Sequence, residues 1–137
     1  MPLAAEWSLQ KAVFAALEAD ASLIGLLGAG RIHDDAPQNG PFPYITFGQS
    51  VVRDWSTGDD TGAEHVLTLH VWSRAAGKKE AQAIMRAARQ ALHDQPLVIE
   101  DHRLINLRHE LSDTFRDPDG ETVHGIVRFR AVTEMVA

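Results

Sequence analysis

The chain has no cysteine, a single tyrosine and few aromatic residues overall, 7%. Without thiols there is no disulfide framework, no cysteine–zinc site and no thiol nucleophile, and nothing calls for an oxidising compartment. Positive charge is the minority sign: 13 Lys and Arg stand against 19 Asp and Glu, a formal net charge of −6. That balance argues against a protein that grips a phosphate backbone over its whole surface. No apolar run approaches the roughly 20 residues a membrane span needs. Met1 to Glu6 offers neither a basic n-region nor an apolar h-region, so no signal peptide is expected. What is present is an ordinary globular composition, 45% hydrophobic and 23% charged over 137 residues. It excludes disorder, collagen and coiled coil and suits one domain spanning residues 1–137.

Periodicity predicts two main helices. From about Ser8 to Ala19, Leu9, Ala12, Val13, Ala16 and Leu17 follow the spacing of one buried stripe, with Ser8 placed to cap the helix. A short turn from Asp20 to Leu27 runs into Gly25, Gly28 and Gly30. From about Lys78 to His93 the stripe is Ala81, Ile84, Met85, Ala88 and Leu92, stopped by Asp94-Gln95-Pro96. Between the helices, Tyr44–Arg53 and Glu64–Trp72 read as a hairpin joined by the acidic, glycine-containing loop Asp54–Gly62, with Pro37–Pro43 an extended connector. Asp117-Pro118-Asp119-Gly120 suits a bulged three-residue hairpin loop. That register sets Phe115 opposite Val123, Leu111 opposite Val127, His109 opposite Phe129 and Leu107 opposite Ala131. The other face then pairs Glu110 with Arg128 and Arg108 with Arg130. The fold class expected is α+β: a mainly antiparallel sheet of about four strands, two main helices on one face, order α-β-β-α-β-β.

The chemistry is sparse. His65 and His70 point to opposite sides of their strand, as do His109 and His124, and His33-Asp34-Asp35 lacks a partner at helical spacing, so no metal site is expected. There is no nucleophile elbow and no phosphate-binding glycine motif. Glu110 and Arg128 read as a cross-strand ion pair on an exposed face, and His109 as a packing residue. Two features invite a role in contacts. Trp7 and Phe14 project from the side of the first helix opposite its apolar stripe, marking either a subunit contact or, for Trp7, a segment folded back onto the domain. Lys78, Gln82, Arg86, Arg89 and His93 share one side of the later helix, as a solvated face or as a dock for a neighbour's acidic surface. Asp54, Trp55, Asp59 and Asp60 belong to the acidic loop, expected to be mobile until it orders against a partner.

The ordered segments give the family. They are Leu9-Gln10-Lys11-Ala12-Val13, Pro37-Gln38 leading to Pro43-Tyr44-Ile45, and Leu67-Thr68-Leu69-His70-Val71-Trp72-Ser73-Arg74. They continue with Gly77 and Glu80-Ala81, and with Phe115-Arg116-Asp117-Pro118-Asp119-Gly120 through Arg128-Phe129-Arg130-Ala131. This set, from about Leu9 to Val132, resembles the tail-terminator (tail-completion) proteins of long-tailed phages and gene transfer agents, most nearly the alphaproteobacterial gene-transfer-agent or prophage versions. The resemblance implies a structural subunit of a hexameric ring on the head-proximal end of the tail tube, ending tube polymerisation and docking the filled head. The partners implied are copies of itself, the tail tube protein and the head–tail connector or stopper protein, with DNA only in transit. No membrane, cofactor, metal or catalytic residue is implied, and the chain would assemble in the cytoplasm and reside at the head–tail junction. Interface residues expected from this chain alone are Trp7, Phe14, Asp54, Trp55, Asp59, Asp60, Lys78, Arg86 and Arg89, with Arg108, Glu110, Arg128 and Arg130 as charges of a sheet face. The alternatives are a head-side stopper or adaptor, and a small metal-dependent hydrolase using His33, Asp34 and Asp35.

Overall fold

In a computed structural model, residues 3–136 are described; the signal-peptide reading rests partly on Met1 and Pro2, which lie outside them. The elements are α1 (Ala5–Glu18), α2 (Ala21–Leu27), β1 (Ile32–His33), β2 (Tyr44–Asp54), β3 (Gly62–Ser73), α3 (Lys79–Leu92), β4 (His102–Arg116) and β5 (Val123–Met135). The sheet order is β1-β2-β3-β5-β4, antiparallel except where β1 runs parallel to β2. The expected α+β class holds, with two additions to the expected order: α2 is a seven-residue helix that runs through Gly25 where a short turn was expected, and β1 joins the sheet. Two-residue β1 (Ile32 beside Ile45, His33 beside Thr46) is too short for any alternation to be read from sequence.

Alternation along β3 and β5 divides the sheet into two faces. Leu67, Leu69 and Val71 of β3 and Val123, Val127, Phe129 and Ala131 of β5 are buried beneath the helices. α1 contributes Leu9, Val13 and Leu17 to that layer, and α3 the whole stripe Ala81, Ile84, Met85, Ala88 and Leu92. Gly125 lets α3 approach β5 closely, because a Cβ at that position would collide with the Met85 thioether. Asp20 caps α2 by accepting from the Leu23 amide at 2.9 Å.

Two local expectations are corrected. Ser8 is not a cap: α1 starts at Ala5, its N-cap Ala4 carries no side-chain bond, and Ser8 sits buried inside the first turn with an unpartnered hydroxyl. The run of helix-favouring alanines before it lets the helix begin earlier. The β4–β5 register is also offset near its turn. Asp117 N donates to Thr122 O at 2.8 Å, so four residues rather than three form the loop. Phe115 therefore faces His124 and Leu111 faces Arg128, while Glu110 is the unpaired residue of a bulge. Beyond that bulge the expected pairs are restored: His109 with Phe129, Arg108 with Arg130, Leu107 with Ala131. The loop prefers the longer form because the Asp119 carboxylate accepts from the Glu121 and Thr122 amides, both 2.9 Å, and from the Thr122 hydroxyl at 2.7 Å.

Phe129 is fully buried at the centre of this core, so Phe129→Ala should cost about 3–5 kcal/mol, read as a lower urea midpoint. Ser8→Ala should move the midpoint the other way, by about 1 kcal/mol, because it removes a buried hydroxyl with no partner.

Candidate functional site

The sheet has two lateral sides, and different chemistry collects on each. On the β2 side, Trp7 and Phe14 line a concavity of about 410 Å³ with Gln10, Lys11, Asp34 and Phe47. Both aromatics lie within α1 and remain 48% and 40% exposed. The folded-back reading of Trp7 is thereby overturned: the helix starts before it and holds it outward. Gln10 Nε2 donates to Asp34 Oδ1 at 2.8 Å across the mouth, and Lys11 pairs with Glu100 at 3.1 Å.

The acidic loop lies at the far tip of the β2–β3 hairpin, and its backbone is closed rather than slack. Trp55 N donates to Gly62 O at 3.0 Å, Thr57 N to Asp60 O at 2.9 Å, and Gly62 N to the Ser56 hydroxyl at 3.1 Å. Asp54 is spent internally, accepting from the Ser56 hydroxyl at 2.6 Å and its amide at 3.1 Å, which holds its carboxyl below the usual range. Asp59 and Asp60 are exposed, and their carboxylates have no partner among the described residues. Trp55 leans toward the sheet, with the Arg130 guanidinium 5.4 Å from its ring centre.

On the β4 side, α3 and the sheet edge enclose a polar groove. Arg86, Arg89, Gln90 and His93 line one part of about 540 Å³; Gln82, Met85, Arg86, Arg89, Ser112 and Thr114 line an adjoining part of about 400 Å³. The structure thus gathers Gln82, Arg86, Arg89 and His93 as their spacing suggested, but leaves Lys78 outside, at the N-cap of α3. His109 edges onto Phe129 at 5.9 Å and shares a 2.7 Å hydrogen bond with Ser112. Burial pushes its pKa down, with the neighbouring Arg89 and His93 charges adding to the effect.

The helix-free face of the sheet carries the remaining charges. The expected Glu110–Arg128 pair does not form, because the Glu110 bulge sets Leu111 opposite Arg128. Arg130 pairs instead with Glu64 (Nη2 2.6 Å, Nε 2.7 Å), and Arg108 with Asp94 at 3.3 Å. At the other end of this face runs a row that sequence reading missed. Phe42, Tyr44, Trp72, His124 and Phe115 follow one another at ring-centre distances of 5.0, 6.3, 3.9 and 4.8 Å. His70 Nδ1 and His124 Nε2 share a 2.7 Å hydrogen bond, with Asp117 3.6 Å from His124 Nδ1. Only the long-range pairing of β3 with β5 brings these histidines together, and no local spacing signals it. His33, Asp34 and Asp35 do not converge either: His33 edges onto Tyr44 and Asp34 takes the Gln10 amide. Among the described residues, no group of three or more His, Asp or Glu is placed to hold a metal.

Comparison with known proteins gives a consistent set of relatives. Residues 11–134 match the family described as tail completion protein gp17. The tail completion protein gp17 of Bacillus phage SPP1 is 28% identical over 123 residues, covering 90% of each chain. A chain in the virion of a native gene transfer agent particle superposes with a TM-score of 0.88 at 32% identity, over 96% of this chain and 98% of that one. The solved SPP1 gp17 protein superposes at 0.61 with 25% identity, over 97% and 91%.

The buried imidazoles make stability depend on pH. Burial lowers the pKa of His65, His70 and His124 from 6.5; the charge of His124 adds to the effect at His70, and Asp117 only partly offsets it at His124. His65 has a further reason to stay neutral: Nε2 bonds the Thr133 hydroxyl at 2.9 Å, while buried Nδ1 has no partner. Below 6.5 the unfolded chain binds more protons than the folded one, so stability is complete above that pH and declines as pH falls through the lowered values. Urea midpoints should therefore be lower at pH 5.5 than at pH 7.5, and His70→Asn should reduce the difference.

Proposed function

Because the chain belongs to the gp17 tail completion protein family, we propose that six copies form a ring on the head-proximal end of a phage-like tail tube. The ring ends tube growth and presents the surface on which the filled head's connector docks. Its partners are further copies, the tube protein and the connector or stopper protein, and its role is structural rather than catalytic. The likeness to a chain of a gene transfer agent virion supports a place in a particle of that kind, assembled in the cytoplasm and finished at the head–tail junction.

The observation that carries this reading is the dissimilarity of the two lateral sides of the sheet. A closed ring uses heterologous contacts, so each subunit must present two different surfaces that meet when copies are related by rotation. Here an aromatic concavity and an acidic hairpin tip belong to the β2 side, and a cationic groove to the β4 side. DNA in transit should pass without being gripped. The net charge of −6 suits that, as does the pairing of Arg103, Arg108 and Arg130 with Glu134, Asp94 and Glu64.

Removing the chain from a producing strain should leave filled heads unjoined to tails of irregular length, and supplying it in trans should restore joining; normal numbers of joined particles without it would sink the reading. Phe14→Asp should leave a chain with unchanged urea midpoint but without ring-forming ability. A carboxylate pressed against Trp7 and Phe47 in a closed interface costs several kcal/mol, so joined particles should fall by more than about tenfold. Unchanged oligomer mass by light scattering and unchanged joining would remove Phe14 from the contact.

A further inference from the structure

Arg86 and Arg89 stand side by side on α3 facing open space. Both line the two adjoining parts of the groove beside α3, and neither has a hydrogen-bond or ion-pair partner among the described residues. The remaining polar wall is Gln82, Gln90, His93, Ser112 and Thr114, and no carboxylate lines it. Arg103, Arg108 and Arg130 each have an acid, whereas Arg53 and Arg128, like Arg86 and Arg89, have none among the described residues. Such a groove is built to receive oxygen anions, for which two guanidinium forks provide paired, directional donors.

Resting on the reading of the chain as a ring subunit, we propose that the acidic hairpin tip of one copy seats in the α3–β4 groove of the next, Asp59 and Asp60 meeting Arg86 and Arg89. The two surfaces complement each other in sign and in what each lacks. Asp54 is consumed by Ser56, while Asp59 and Asp60 stand free on a turn already closed by the Thr57–Asp60 bond. A pre-closed turn loses little conformational freedom on docking. Burial is the main cause of the lowered His109 pKa and the Arg89 charge adds to it, while His93 Nε2 lies 3.2 Å from Asp94.

Topology then decides that the contact lies between copies. The tip extends from the end of β2 and β3, beyond the pairing of Gly62 with Glu134, whereas Ser112 and Thr114 lie level with Val127 and Gly125 on the opposite side of the sheet. Strand rise and spacing separate them by roughly 25 Å within one chain. One copy cannot close this contact on itself, but a head-to-tail neighbour brings β2 side to β4 side. Phosphate would suit the same guanidinium groups. The carboxylates of a second copy are favoured because the free acids of the tip have no cation of their own.

The absence of cysteine makes the test clean. In particles assembled with a chain carrying both Asp59→Cys and Arg89→Cys, mild oxidation should yield a disulfide-linked ladder running past dimer, as a heterologous contact requires. Joined particles with no covalent product, or with dimers alone, would overturn the contact while leaving the ring reading intact; that reading falls only if removing the whole chain has no effect. If the cysteine chain fails to assemble, charge exchange decides. Asp59→Arg with Asp60→Arg, and Arg86→Asp with Arg89→Asp, should each reduce joined particles more than tenfold, and the four together should recover most of the loss. No recovery would overturn the pairing. So would a loss of duplex DNA retention on gels as the sole effect of the arginine exchange, which would identify phosphate as the groove's ligand.

Discussion

Between Gly62 and Ser73, β3 pairs residue by residue with β5, from Glu134 back to Val123, without a bulge. This central antiparallel contact joins two hairpins that are distant in sequence, and everything lateral depends on it. It puts β2 and β4 on opposite sides, fixes which residues lie beneath the helices, and aligns His70, Trp72 and His124 on the free face. All irregularities fall outside it: one bulge on β2 after Phe47, and two on β4, at Ile105 and Glu110. A regular centre with bent flanks gives a rigid support whose outer strands twist away from flat edge pairing.

The parts legible in the sequence were those governed by local period. The α3 stripe, the β2–β3 hairpin and the Asp20-led turn of α2 each satisfy a rule that spans a few residues, and each forms where that rule places it. The Ser8 cap was misplaced because a good capping residue proved less decisive than the alanines before it. The β4–β5 register slipped because Asp119 binds the Glu121 and Thr122 amides, favouring a longer loop than the glycine alone implies. The histidine pair and aromatic row were invisible, since they require knowing that β3 neighbours β5 across an intervening helix and strand. Of the residues singled out for contacts, Trp7 and Phe14 do share a concavity, and Arg86 and Arg89 share a groove, while Lys78 and Glu110 stand apart.

Charge is unevenly paired in this molecule. On the helix-free face Arg130 is matched by Glu64 and Arg108 by Asp94, while Arg128 has no acid among the described residues. Among the described residues, Asp59 and Asp60 at the hairpin tip and Arg86 and Arg89 in the α3 groove are unpaired, as are Arg53 and Arg128 on the strands. A family likeness establishes a tail completion protein; the ion pairs add which of its charged side chains are satisfied within the chain.

The Glu110 bulge has a further bearing on how such chains diverge. By absorbing one residue on β4, it disconnects the length of the Asp117–Thr122 loop from the pairing of Leu107 with Ala131 deeper in the sheet. A residue gained or lost at that tip can be absorbed at the bulge while the pairing from His109 with Phe129 to Asn106 with Val132 stays in phase.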